Sequence, residues 1–213
     1  MSASPVLVCH RGASALAPEN SLDAFRVAMQ HGVDFSELDV HVGASGDLVV
    51  THDAVLDADA ERSLPRLADV FALVRGRMGI YVELKGAGTG AALGELMRRG
   101  GADGVRLISG SAVLDLVREL GESAPEVPRS ILFTPGWQTR DMIGACHELG
   151  ARFAHPCFRP IDAGLVDALH QADLLVMTPH TNDPAEARRF AALGVDVIAS
   201  DDPRILVPLR GGC

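Results

Sequence analysis

Residues 21–42 read SLDAFRVAMQHGVDFSELDVHV. The first half carries apolar side chains at helical spacing (Leu22, Phe25, Val27, Ala28, Met29), with Ser21 placed to cap the start and Gly32 to end the last turn. The second half, Phe35–Val42, is a largely apolar run of strand length, as in a sheet covered on both faces. A helix leading directly into such a strand is the latter part of a βαβ unit. The earlier strand lies upstream, in Val6–Cys9.

The unit repeats along the chain. Apolar runs recur at 80–84, 105–108, 131–133, 153–158, 174–177 and 195–199, and stretches of helical spacing fall at 63–74, 91–98, 111–120, 141–149, 163–170 and 184–193. Ser63, Ser111 and Asp183 are candidate N-caps, and Gly100, Gly121, Gly150 and Gly194 candidate terminators. Eight strand–helix repeats predict an α/β fold, a (β/α)8 TIM barrel built as one domain over residues 1–213. It would be a short form. The last helix is truncated to residues 203–209, and a turn at 43–47 sends the chain back as a small extra hairpin strand, 48–51, after strand two. An open doubly wound sheet has the same periodicity and is the alternative.

Composition narrows the function. At 213 residues and 47% hydrophobic, the chain is neither disordered nor of low complexity. A formal net charge of −9 points away from nucleic acid or an anionic membrane surface as the main partner. No run approaches the roughly 18 apolar residues of a spanning helix, and no signal-peptide pattern opens the chain, so a cytoplasmic protein without stable membrane insertion is expected. Cys9, Cys146, Cys157 and Cys213 form no C-x-x-C pair and read as reduced thiols. Against 18 arginines stands one lysine, Lys85.

Barrels of this kind keep their chemistry at the carboxyl ends of the strands. There the chain places His10-Arg11-Gly12, Glu37-x-Asp39-x-His41, His52-Asp53, Glu83-x-Lys85, His155, His180 and Asp201-Asp202. His31, His147 and His170 fall in or just after helices and read as solvated. Strand residues i and i+2 share a side, so Glu37 and Asp39 project together. With Glu83 at the same level, three hard oxygen donors suit one divalent cation, Mg²⁺ or Ca²⁺, better than zinc. The competing reading turns Glu37 and Asp39 outward or pairs them with Arg11 and Lys85. Those two cations, aimed into the same mouth, suit a phosphate. His10 and His52 supply titratable groups for general acid–base work.

Taken in order, His10-Arg11-Gly12, Pro18-Glu19-Asn20-Ser21, Ala24-Phe25, Glu37-Leu38-Asp39-Val40, His52-Asp53 and Glu83-Leu84-Lys85 resemble the glycerophosphodiester phosphodiesterase family. The segment from Leu193 to Pro203 is similar to that family's closing motif, while the middle of the chain matches by periodicity alone. The resemblance implies a metal-dependent barrel enzyme that cleaves a small glycerophosphodiester to an alcohol and glycerol phosphate. By the same resemblance, Glu37, Asp39 and Glu83 are the metal ligands, His10 and His52 the acid–base pair, and Arg11 and Lys85 the phosphate contacts. It further implies attack by the substrate's own glycerol hydroxyl, giving a cyclic phosphate that water opens.

Two departures bear on the substrate. Only residues 54–62 separate Asp53 from the next helix, where the family carries a sizeable insertion, which predicts a more open mouth. The family's tryptophan near strand seven is replaced in Pro179-His180-Thr181-Asn182, with Trp137 a candidate substitute for its apolar surface. A phospholipase D-type lyase releasing cyclic phosphate from lysophospholipids is therefore one alternative. A non-catalytic protein that binds a phosphorylated ligand is another. The apolar tail Ile205-Leu206-Val207-Pro208-Leu209 is expected to close the barrel floor or to form a homodimer contact.

Overall fold

The computed structural model describes residues 4–54, 58–158 and 160–211. The reading of residues 1–3, the centre of the short connection at residues 55–57 and Cys213 fall outside them. Chain order is β1 (Val6–Cys9), α1 (Leu22–His31), β2 (Phe35–Val42), β3 (Leu48–Val50), α2 (Ala58–Glu61), α3 (Leu67–Val74), β4 (Gly79–Leu84) and α4 (Thr89–Arg98). It continues with β5 (Leu107–Ser111), α5 (Leu114–Ser123), β6 (Arg129–Phe133), α6 (Thr139–Glu148), β7 (Phe153–Pro156) and α7 (Ala163–Gln171). The last elements are β8 (Leu175–Val176), α8 (Pro184–Ala192), β9 (Val197–Ser200), α9 (Pro203–Leu206) and a 3₁₀ turn, Val207–Gly211.

Eight of the strands pair in parallel in the order β8-β7-β6-β5-β4-β2-β1-β9. A parallel bridge between Met177 and Val197 closes the ring, with the Thr178 N–H donating to the Val197 carbonyl and the Asp196 N–H to the Val176 carbonyl, each at 3.0 Å. The barrel is closed, not an open doubly wound sheet. β3 is the expected hairpin strand, antiparallel to β2 and outside the ring.

Two apolar layers hold it. Val8, Phe35, Tyr81, Ile108, Leu132, Phe153, Met177 and Val197 fill the interior. Leu7, Leu38, Val40, Ile80, Val82 and Ile131 face outward into the larger cluster beneath the helices. Each fully buried side chain of this size contributes about 2 kcal/mol. Along β2 the alternation sends Phe35 inward and Leu38 and Val40 outward. Glu37 and Asp39 therefore share the inner face with Phe35.

Helix ends follow local chemistry in some places and tertiary demands in others. The Ser21 hydroxyl accepts the Ala24 N–H at 3.1 Å, and Gly32 closes α1 in the left-handed region at φ 72°. Asp183 caps α8 as expected, and Asp162 and Asp202 cap α7 and α9. Ser63 and Ser111 cap nothing as N-cap residues. Ser63 donates to the Ala60 carbonyl at 2.7 Å, whereas Ser111 ends β5 and donates to the Leu84 carbonyl of β4, also at 2.7 Å. Gly121 lies within α5 and does not terminate it. The apolar tail packs along the outside of β1 and β9, with Leu206 fully buried in the outer cluster, so it covers the barrel wall instead of its floor.

Candidate active site

The site begins where β1 stops. Arg11 takes the left-handed backbone region at φ 54° and Gly12 follows at φ 80°, where an added Cβ would stand 2.4 Å from the Ala24 Cβ. A non-glycine residue held there is strained, and the strain aims a backbone donor. The Arg11 N–H meets Glu37 Oε2 at 2.9 Å. Asn20, also left-handed at φ 54°, donates its amide to Asp39 Oδ2 at 3.1 Å while its own N–H reaches the Arg11 carbonyl at 2.9 Å. The loop between β1 and α1 thus fixes both β2 carboxylates.

Register supplies the third. β2 and β4 are aligned with Asp39 opposite Glu83, and carboxylate oxygens of Glu37, Asp39 and Glu83 lie within 4.8 Å of one another. Glu37 and Asp39 are 5% and 1% exposed. Two like charges at that distance repel by about 3 kcal/mol at an effective dielectric of 20. Lys85 offsets part of this, with Nζ 2.5 Å from Glu83 Oε1 and 3.1 Å from Asp39 Oδ1. Arg11 Nε stands 3.2 Å from Asp39 Oδ2, though not aligned for a hydrogen bond. Burial and the neighbouring Asp39 and Glu83 push the Glu37 carboxyl well above its usual range. Burial also raises Glu83 despite the Lys85 ammonium.

Both readings of these residues therefore hold in part: the carboxylates face inward, and Asp39 is paired with both cations. The pairing does not saturate the cluster. Three carboxylates against two cations leave one formal negative charge, and buried Glu37 Oε1 has no hydrogen-bond partner. A divalent cation bound by oxygen fits that donor set and would satisfy the orphaned atom.

His10 borders the cluster, with Nε2 4.0 Å from Glu37 Oε2. Its Nδ1–H donates to Asp201 Oδ1 at 2.7 Å, which in the neutral ring leaves the lone pair on Nε2. Burial alone would raise the Asp201 carboxyl, but hydrogen bonds from His10 and Asn182 hold it well below the usual carboxylate range. Asn182 donates to Asp201 Oδ2 at 2.6 Å and accepts from Ser200 Oγ at 3.0 Å. The His180 ring stacks on His10, centroids 4.1 Å apart and planes 7° from parallel.

These groups open into a cavity of about 550 Å³ inside the upper barrel, lined by His10, Glu37 and Glu83 on one side and by Leu132, His155, Met177 and Thr178 on the other. The sequence of residues 10–75 matches the model of the glycerophosphoryl diester phosphodiesterase family. A glycerophosphodiester phosphodiesterase of Caldanaerobacter subterraneus is 25% identical over 97% of this chain and 99% of its own. Over residues 10–75 the chain is similar to the glycerophosphoryl diester phosphodiesterase family. The crystal structure of the Agrobacterium tumefaciens glycerophosphodiester phosphodiesterase superposes on this chain with a TM-score of 0.76 at 27% identity, covering 95% of this chain and 99% of that one. An Oleispira antarctica phosphodiesterase, solved with the product sn-glycerol-3-phosphate, has the same fold, with a TM-score of 0.84, 22% identity and coverage of 98% and 97%.

Within this site the expected residues are not equally gathered. Glu37, Asp39, Glu83, Lys85, Arg11 and His10 form one contact network. His52 lies at the rim, outside the cavity lining. Its Nδ1–H donates to Asp53 Oδ1 at 2.8 Å, and its carbonyl accepts from His41 Nε2 at 3.1 Å. The Thr51 N–H, bonded to the Asp39 carbonyl at 3.0 Å, ties that rim to the carboxylates. Trp137 packs edge-on against Phe133 in the outer layer, ring centroids 5.1 Å apart, and does not line the cavity. It therefore supplies no substitute for the missing tryptophan. Asn20, Asp201, His180 and His155 were given no role by sequence reasoning. Asn20 sat in a quoted motif, and the others stood at strand ends, which was the signal available.

Proposed function

We propose that this enzyme hydrolyses glycerophosphodiesters to an alcohol and glycerol phosphate, with one Mg²⁺ or Ca²⁺ held by Glu37, Asp39 and Glu83. The observation that carries the reading is the three-carboxylate cluster, with Glu37 Oε1 buried and unpartnered while His10 Nε2 stands 4.0 Å from Glu37 Oε2. When bound, the cation supplies neutralisation of charge on the phosphate oxygens. Lys85 has three N–H donors and spends two on Glu83 and Asp39, which leaves one for a phosphate oxygen. Arg11, with one terminal nitrogen on Glu19 at 3.1 Å, retains further donors for the same anion.

His10 and His52 form the acid–base pair. Each has Nδ1 anchored by an aspartate, at 2.7 Å and 2.8 Å, which supports Nε2 as the working atom of both. One imidazole takes the proton of the attacking hydroxyl as its oxygen bonds to phosphorus. The other protonates the leaving alkoxide as its P–O bond breaks. Where the attacking hydroxyl is the substrate's own, water then adds to phosphorus of the cyclic phosphate and a ring P–O bond breaks, the two imidazoles taking and giving the protons, to yield glycerol phosphate. The substrate is a small molecule, and no helix among the described residues is long and apolar enough to cross a membrane. Free Cys9, Cys146 and Cys157 support a reducing, cytoplasmic setting.

The test is phosphorus NMR of the purified enzyme with glycerophosphocholine and glycerophosphoglycerol. Glycerol phosphate should accumulate with Mg²⁺ or Ca²⁺, stop with EDTA and resume on adding the ion. A stable cyclic phosphate as end product would move the enzyme to the lyase class, and turnover indifferent to chelation would remove the metal assignment.

A further inference from the structure

Among the described residues, the buried side-chain atoms without a hydrogen-bond partner are Arg11 Nε, Glu37 Oε1, both ring nitrogens of His155 and Thr178 Oγ1. An orphaned buried polar atom costs about 1–3 kcal/mol, so such atoms are rare and call for a partner. Arg11 and Glu37 belong to the phosphate and cation half of the site. His155 and Thr178 do not. They sit on the far wall of the same cavity, at the carboxyl ends of β7 and β8, which are aligned with Ala154 opposite Val176.

That wall differs in character from the one facing it. The β1, β2 and β4 side presents His10, Glu37 and Glu83, whereas the β6–β8 side presents the uncharged Leu132, Met177, His155 and Thr178, and Asp183 in the loop beyond β8 turns its carboxylate to the α8 N-terminus. Thr178 is 1% exposed. Its N–H is committed to the Val197 carbonyl at 3.0 Å. Burial, opposed by the Thr178 backbone and aided by the charges of His10 and His180, pulls His155 down to about 4. A neutral imidazole offers one donor and one acceptor, and a threonine hydroxyl one donor and two acceptors. Together they match a group whose atoms both give and take hydrogen bonds.

We infer that His155 and Thr178 form a subsite for the alcohol half of the substrate and select an uncharged, hydroxyl-bearing head group over a quaternary ammonium. The inference rests on the phosphodiesterase reading of the neighbouring cluster. A trimethylammonium group has no N–H or O–H to give and no lone pair to offer, so it would leave both side chains orphaned. Recognition of such a cation by an aromatic cage is also poorly provided for, because Tyr81 is the one aromatic residue besides histidine in the cavity lining. A polyol satisfies His155 and Thr178 together. Sites built on buried hydrogen-bonding groups discriminate strongly against ligands that lack the matching group.

The experiment measures binding by calorimetry in the presence of Mg²⁺, alongside turnover, for glycerophosphoglycerol and glycerophosphocholine. Wild-type enzyme should bind the glycerol diester about tenfold or more tightly than the choline diester. His155→Phe and Thr178→Val should each bring that ratio to within about threefold, and His155→Gln, which keeps a donor and an acceptor, should hold part of it. Thermal melts establish that each variant is folded. Equal wild-type affinities, a preference for choline, or a ratio unmoved in both the Phe and Val variants would overturn the subsite. Turnover of both diesters without head-group preference would sink this inference and leave the phosphodiesterase reading standing. A binding preference without turnover of either would do the reverse.

Discussion

The imidazole rings of His10 and His180 lie face to face, with centroids 4.1 Å apart and planes within 7°, although 170 positions of chain separate them. His10 is gripped through Nδ1 by Asp201, and the stack fixes the remaining freedom of the ring about that bond. His180 is therefore a positioning residue for His10. Aromatic pairs of this kind contribute about 1 kcal/mol. His180→Ala should lower kcat about five- to tenfold with KM nearly unchanged, and His180→Trp should recover most of the loss by restoring a flat face. Steady-state kinetics on the three proteins decides the matter, and an equal fall in the Ala and Trp variants would refute it.

Asp201 holds the ring that His180 covers. Asp201→Asn keeps the shape but removes the charge that selects the Nδ1–H tautomer, so kcat should fall about 100-fold, the lower end of general acid–base contributions. The depressed Asp201 pKa makes its hydrogen-bonded carboxylate stabilising above the ordinary carboxylate value of about 3.9, with that contribution lost as pH falls through the lower folded value. An acid titration followed by circular dichroism should show wild type losing this advantage over Asp201→Asn only on the acid side.

Glu37 and Glu83 have the opposite sign. Folding raises their pKa values, so native protein binds these protons more tightly than unfolded chain. Stability from them is greatest below about pH 4.3 and declines as pH rises toward the raised values. In EDTA near neutral pH, Glu37→Gln should therefore melt several degrees higher than wild type while being inactive, since 1 kcal/mol moves Tm by about 2–4 °C at this size. Mg²⁺ should raise the wild-type Tm and leave the variant nearly unmoved. Scanning calorimetry with and without the ion gives the answer.

Asn20 braces Asp39 from a left-handed backbone position. Asn20→Ala removes that donor from a buried carboxylate and puts a less tolerant residue at φ 54°, so a loss of about 2 kcal/mol is expected in urea unfolding. A loss under 0.5 kcal/mol would show that the amide is dispensable.

Lys85→Arg preserves charge but not shape. The ammonium reaches Glu83 and Asp39 at 2.5 and 3.1 Å within the barrel mouth, and a planar guanidinium is too broad for the same seat. At least a tenfold fall in kcat/KM is expected, and near-normal kinetics would show that only the charge matters.

Much of this was written locally. Repeated apolar runs and helical stretches specified a parallel sheet with helical crossovers, and the period of two along β2 put Glu37 and Asp39 on one side. A strand buried on both faces has little latitude over which residues point inward. Ser63 and Ser111 went wrong for the same reason Ser21 went right: a hydroxyl before an apolar stretch seeks a partner, and sequence does not say whether a helix N–H or a neighbouring strand's carbonyl is closer.

What the chain order could not give was anything that depends on closure. Asp39 faces Glu83 because β2 and β4 adopt one register, and His10 meets Asp201 across 191 positions because β1 pairs with β9. His155 and Thr178 are orphaned only once the ring has shut water and backbone partners away from them. Residue types and their periodicity determined which side chains would enter the barrel. Only the closed sheet, by fixing distances and desolvating the interior, decided which of them would touch, which would titrate abnormally and which would wait for a ligand.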